Sequence, residues 1–285
     1  MEHPNSQTEA AVQPAAVPAA GSYEKPDAPS PAETAPAPPR RRWQCLNGNT
    51  LKMIAIVTMA IDHVGAALIE NTVLGGPTFE TMNAVLATPE GVRWYWIDIA
   101  LRMIGRIAFP IFCFLLVEGF FHTHDVKKYI GRMAVFTLIS EVPFDLAFNN
   151  APLEFTHQKV FFTLTIGLLT VWGIEALNGK NILFRVLVGI AGCAVATLLH
   201  TDYEYMGVLT ILVFYCFYKR KLLRNIFGVL LSLYESISML GTAALAFIPI
   251  NLYNGERGKS RMKLVMYWFY PVHLLVLYLI RAFIL

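Results

Sequence analysis

Charge is scarce in this sequence. Asp, Glu, Lys and Arg make up only 15% of its 285 residues, against about 25% in an ordinary soluble domain. Cysteine is scarce too: Cys45, Cys113, Cys193 and Cys216 are the four present, and they have no paired spacing. That excludes a disulfide framework or a zinc site and leaves small buried hydrophobes. No GxSxG elbow, HExxH helix or Walker loop occurs, which argues against the common serine, zinc and nucleotide-hydrolysing membrane enzymes. The net charge of +3 comes from bases scattered between apolar blocks, so no nucleic-acid-binding face is expected.

Apolar residues are abundant, at 55%, and they fall in blocks near membrane-spanning length. The runs predict helices over Met53–Ile69, Ile99–Phe121, Met133–Phe148, Val160–Leu177, Ile182–Leu199, Tyr205–Tyr218, Ile226–Ile250 and Leu264–Leu285. The expected fold is all-α: a polytopic transmembrane bundle of about eight helices. Residues 1–42 differ. Up to Pro39 they are rich in Ala, Pro, Ser and Glu and poor in large apolar side chains, so they read as a disordered tail that cannot offset the entropy of folding. No apolar core of a signal peptide is expected there. Residues 43–285 form the membrane domain.

Basic loops orient such a bundle. Arg40, Arg41 and Arg42 place the N-terminus in the cytoplasm of a cell whose inner membrane holds the chain. Lys127, Lys128 and Arg132, then Lys180 and Arg185, then Lys219, Arg220, Lys221 and Arg224 follow on the same side, whereas Glu70, Glu80, Glu90, Glu154, Asp202 and Glu204 mark the other. One segment breaks the pattern. Arg257, Lys259, Arg261 and Lys263 fall outside if Ile226–Ile250 is a single span. Either that block is two short or re-entrant helices broken near Gly241, or the basic loop serves a function such as holding phosphate.

Ionisable residues inside the spans are costly, roughly 2.5–3.5 kcal/mol each at the bilayer centre. Asp62 and His63 stand late in the first run. Arg102 and Arg106, Glu118 and His122, and Glu141 and Asp145 are each spaced four apart, on one helix face, with Pro143 inside the last pair. Gln158, His200, Asp202 and His273 lie near the ends of later spans. On the expected topology Arg102, Arg106, Glu141, Asp145, Gln158, His200 and Asp202 gather in the outer half, with Asp62 and His63 near mid-membrane. Arg102 paired with Glu141 or Asp145 would lock the bundle. Asp62–His63 points to function instead, because an imidazole accepts protons near neutral pH and a neighbouring carboxylate would orient it. His200 or His273 alone reads more readily as an interfacial or hydrogen-bonded residue.

The segments LKMIAIVTMAIDHVGA, LRMIGRIAFPIFCFLLVEGFFHTHDVKKY and LISEVPFDLAF, then QKVFFTLTIGLL, HTDYEYMGVL and YNGERG…FYPVHLLVLYLI, resemble the TraX family of membrane proteins. The founding member of that family is associated with N-terminal acetylation of conjugative pilin. The glycine-terminated apolar helix after RIAFP and the terminal YPVHLL are also similar to pieces of the wider membrane acyltransferase group. The resemblance implies an acetyl-CoA donor and a buried acid–base residue. His63 would deprotonate an amine or hydroxyl acceptor with Asp62 holding it, Arg102 or Arg106 would stabilise negative charge on the thioester oxygen, and Arg257, Lys259 and Arg261 would grip CoA phosphates. The acceptor itself stays open. Two rival readings use the same residues: a proton-coupled transporter with Asp62, His63, Glu141 and Asp145 as a relay, and a non-catalytic scaffold held by its charges.

Overall fold

Asn47 starts the first helix by accepting from the backbone N–H of Asn49 and Thr50, both at 3.0 Å, the usual way to satisfy orphan donors at an N-terminus. The computed structural model describes residues 43–76, 78–149, 159–258 and 262–283; the expected N-terminal tail, Gln158, Lys259 and Arg261 lie outside the described residues. Among the described residues the regular structure is helical. The elements are α1 (Gly48–Val64), α2 (Phe79–Leu86), α3 (Pro89–Gly105), α4 (Ala108–His122), α5 (Val126–Asn149), α6 (Val160–Ala176), α7 (Ile182–Leu198), α8 (Glu204–Cys216), α9 (Lys221–Glu235), α10 (Phe247–Leu252) and α11 (Met262–Phe283).

Each of the eight apolar runs coincides with helix, and the protein is a polytopic membrane bundle. Gly48–Val73, Pro89–His122 and Val265–Phe283 are long and apolar enough to cross a bilayer, and shorter apolar helices pack beside them. Leu187 and Ile190 on α7, Leu230 on α9 and Val276 on α11 stand exposed, as expected of faces that meet lipid rather than water. Inside, α1 packs on α3, α4 and α11, α5 lies along α11, and α6, α7 and α8 pack together.

Two helices depart from regular form where the polar residues sit. Beyond Val64, α1 continues as a π-helix over Gly65–Val73, a rare, widened form found frequently at functional sites. The Ile99–Phe121 run is broken at Arg106 and Ile107 between α3 and α4. Pro110, in the first turn of α4, has no N–H to offer the carbonyl of Arg106, which accounts for the break.

The run Ile226–Ile250 is likewise two pieces. Helix α9 stops at Glu235; Leu240 (φ 55°) and Gly241 (φ 71°) turn left-handed, and a short 3-10 turn leads into α10. A glycine suits this turn because it enters the left-handed region without steric cost. Ser236 satisfies the buried backbone there, its Oγ accepting from Ala243 N–H at 3.1 Å and donating to Ser232 O at 2.6 Å. Arg224 and Asn225 at the start of α9 both donate to Asn251 Oδ1 on α10 (3.2 and 2.9 Å). The chain therefore enters and leaves at one end of the bundle. At that end Leu46 N–H donates to Leu252 O (3.0 Å) and Gly48 N–H to Glu256 O (2.7 Å), so the basic Arg257 segment lies beside the start of α1. The block is thus two short helices, one of the two alternatives that the basic segment left open.

Candidate functional site

The π-helical turn and the α3–α4 break open a polar chamber of about 600 Å³. Asp62, His63, Glu70, Arg102, Arg106 and Asp202 line it. Arg102 Nη1 donates to Asp62 Oδ2 at 2.7 Å, and its Nε lies 3.6 Å from Glu70 Oε2 on the π-helical segment. Gly105 makes the approach possible: a Cβ there would stand 2.2 Å from that of Asp62. Arg106 has Tyr203, Asp62 and Glu235 as its electrostatic neighbours. Tyr203 itself stacks on Phe109, their ring centres 3.5 Å apart.

His63 is held differently from expectation. Asp62 turns to Arg102, and the imidazole of His63 meets that of His273 from α11, Nδ1 to Nε2 at 2.6 Å. The ring planes are 6° apart and the centroids 4.9 Å, so with the nitrogens 2.6 Å apart the two imidazoles meet end-on and nearly coplanar. His273 Nδ1 is 2.7 Å from the carbonyl of Phe269 one turn earlier, while Phe148 and Tyr270 pack edge-on against His63.

The other expected members of the cluster separate. Glu141 and Asp145 take their cation from Lys159, not from Arg102: Lys159 Nζ is 2.6 Å from Asp145 Oδ1 and 3.3 Å from Glu141 Oε1. All three are buried, and the ammonium sits 4.9 Å above the Phe144 ring. Arg102 prefers Asp62 because α3 packs on α1. Asp202 joins the chamber, whereas His200 is exposed beyond it.

A second cavity, about 360 Å³, opens at the end where α1 begins. Its inner walls are apolar, from Leu115, Leu116, Met133, Phe161, Leu164 and Met266, and its rim carries Lys52, Arg132 and Arg257. Glu118 stands in its wall, accepting from Tyr218 Oη at 2.7 Å and Tyr253 Oη at 3.0 Å. Met59, Phe112 and Val160 line both cavities, so these apolar side chains border the basic-rimmed pocket on one side and the polar chamber on the other. Sequence reasoning picked out Arg257, and Arg132 only as a marker of orientation, but missed Lys52, Lys159 and the buried Asp98. Lys52 and Asp98 did carry a signal, as charges inside helical segments of apolar character.

A family model described as "TraX protein" matches residues 47–281. The chain is also 27% identical over 259 residues to the "Probable fimbrial assembly protein FimC, serogroup H1" of Dichelobacter nodosus, an alignment covering 82% of this chain and 95% of the other. No solved structure matches.

Proposed function

This chain belongs to the TraX family, and on that footing we propose that it is a membrane acetyltransferase, moving an acetyl group from acetyl-CoA to an amine or hydroxyl acceptor. The observation that carries the reading is the pair of cavities sharing Met59, Phe112 and Val160. An apolar pocket with a cationic rim suits an acyl-bearing arm that ends in phosphates. A polar chamber with an imidazole in its wall suits an acceptor that must lose a proton. In this reading Lys52, Arg132 and Arg257 hold the phosphates, and the donor's arm reaches inward past Leu116 and Phe161. His63 takes the proton from the acceptor as it attacks, then returns it to the departing sulfur. Arg106 supplies positive charge for the oxygen that becomes negative. The name of the fimbrial assembly relative favours a peptide acceptor on an exported surface protein, with a glycan hydroxyl as the other chemistry that fits.

Neutralising the rim tests the donor site. The triple variant Lys52→Gln/Arg132→Gln/Arg257→Gln should bind acetyl-CoA more weakly, by roughly tenfold for each cationic phosphate partner removed, with its melting temperature in detergent unchanged. Undiminished binding in a stable triple variant would remove the donor from this pocket.

Orientation belongs to the same proposal. The ends that share the rim would face the cytoplasm of a bacterial inner membrane, in keeping with their bases. In a background without native cysteines, single cysteines at Arg220 and at Gly255 should both resist an impermeant maleimide added to intact cells. Labelling at Gly255 with protection at Arg220 would place the basic segment on the far side and dismantle the re-entrant reading.

A further inference from the structure

The two histidines form an ordered chain, and its direction can be read. A carbonyl oxygen only accepts, so the 2.7 Å contact with Phe269 O requires the hydrogen of neutral His273 to sit on Nδ1. That leaves His273 Nε2 with a lone pair. The 2.6 Å contact with His63 Nδ1 then requires the hydrogen of His63 to sit on its own Nδ1. The remaining nitrogen, His63 Nε2, carries the lone pair of a ring that lines the polar chamber.

We propose that His273 is a positioning residue: it fixes His63 in the Nδ1–H tautomer and so makes Nε2 the nitrogen that accepts the acceptor's proton. The proposal rests on the acetyltransferase reading for its consequence, though not for its geometry. The role is one a carboxylate often fills beside a catalytic imidazole. Here Asp62 is engaged by Arg102, and a second imidazole takes its place. Its order comes from one carbonyl on α11, and the near-coplanarity of the two rings, 6° apart, keeps the acceptor nitrogen in line. When His63 gains a proton at Nε2, its Nδ1–H still donates to His273, so the contact persists through the cycle without a second proton moving.

Nitrogen-15 NMR of protein with labelled histidine, assigned by comparison with His63→Gln, reads the tautomer directly. Wild-type His63 should show a protonated Nδ1 and an unprotonated Nε2. In His273→Phe the preference should relax by about tenfold, the equivalent of one hydrogen bond, giving a mixture. His273→Gln, whose amide oxygen accepts the same hydrogen, should restore it. In transfer assays His273→Phe should lower kcat by a similar factor and leave KM for acetyl-CoA unchanged, with partial recovery in His273→Gln.

A wild-type His63 protonated on Nε2 overturns the proposal by itself, whatever the variants do. An unchanged tautomer in His273→Phe overturns it as well. If the wild type transfers no acetyl group, the functional reading fails separately, because the NMR result stands without activity.

Discussion

Replacing His63 with alanine should abolish acetyl transfer while leaving acetyl-CoA bound. Removing a general base typically costs about 10²–10⁴-fold. The ring has no substitute: Asp62 is committed to Arg102, and His273 stands behind His63 rather than among the residues lining the chamber. Binding should survive because the rim of Lys52, Arg132 and Arg257 belongs to the other cavity. Asp62→Asn should act differently. The amide oxygen still accepts from Arg102, so the pair holds its shape, but the buried guanidinium loses a countercharge and turnover falls less steeply. Radiolabelled acetyl transfer, acetyl-CoA binding and thermal stability in the same detergent separate these outcomes. A His63→Ala protein as stable as the wild type and as fast would end the acetyltransferase assignment of this histidine.

The bundle was legible because spans announce themselves by apolar length, and all eight runs proved helical. A break near Gly241 was one of two readings of the Ile226–Ile250 block, and the charge pattern alone did not choose between it and a basic loop with a function of its own. What stayed hidden was partner choice. Spacing of four told that Arg102 and Arg106 share a face, as do Glu141 and Asp145, but not which helix each face meets. Arg102 was expected on Glu141 or Asp145 and lies instead on Asp62, because α3 packs on α1. His273 stands 210 residues from His63, and no local pattern connects a histidine in α11 with one in α1. The π-helical turn after Val64 was equally silent, since nothing in GAALIENTV distinguishes it from an ordinary α-helical stretch. Asp62 and His63 drew attention for a sound reason, an ionisable pair in an apolar run, but adjacency in sequence suggested a mutual contact. Neighbouring residues on a helix point about 100° apart, and each found a partner on another helix.

The largest loss of stability should come from Lys159→Met. Its ammonium is buried against Asp145 and Glu141, at 2.6 and 3.3 Å, and the two carboxylates flank Pro143 on α5. Breaking a buried pair from one side leaves the other charge without compensation, at a cost of about 3–5 kcal/mol. Two carboxylates are left here, one turn apart and repelling each other. The single variant should therefore melt well below the wild type in detergent and accumulate poorly. Neutralising all three, in Lys159→Met/Glu141→Gln/Asp145→Asn, removes the orphaned charges together and should recover most of the loss, since a buried ion pair adds little over a neutral packing of the same shape. The recovered variant also tests what the charges are for. They do not line the His63 chamber, so it should transfer acetyl groups near the wild-type rate if they only join α5 to the start of α6. A stable triple variant with no transfer would give Glu141 and Asp145 a part in the chemistry. A single variant as stable as the wild type would show that the triad bears none of the load its geometry suggests.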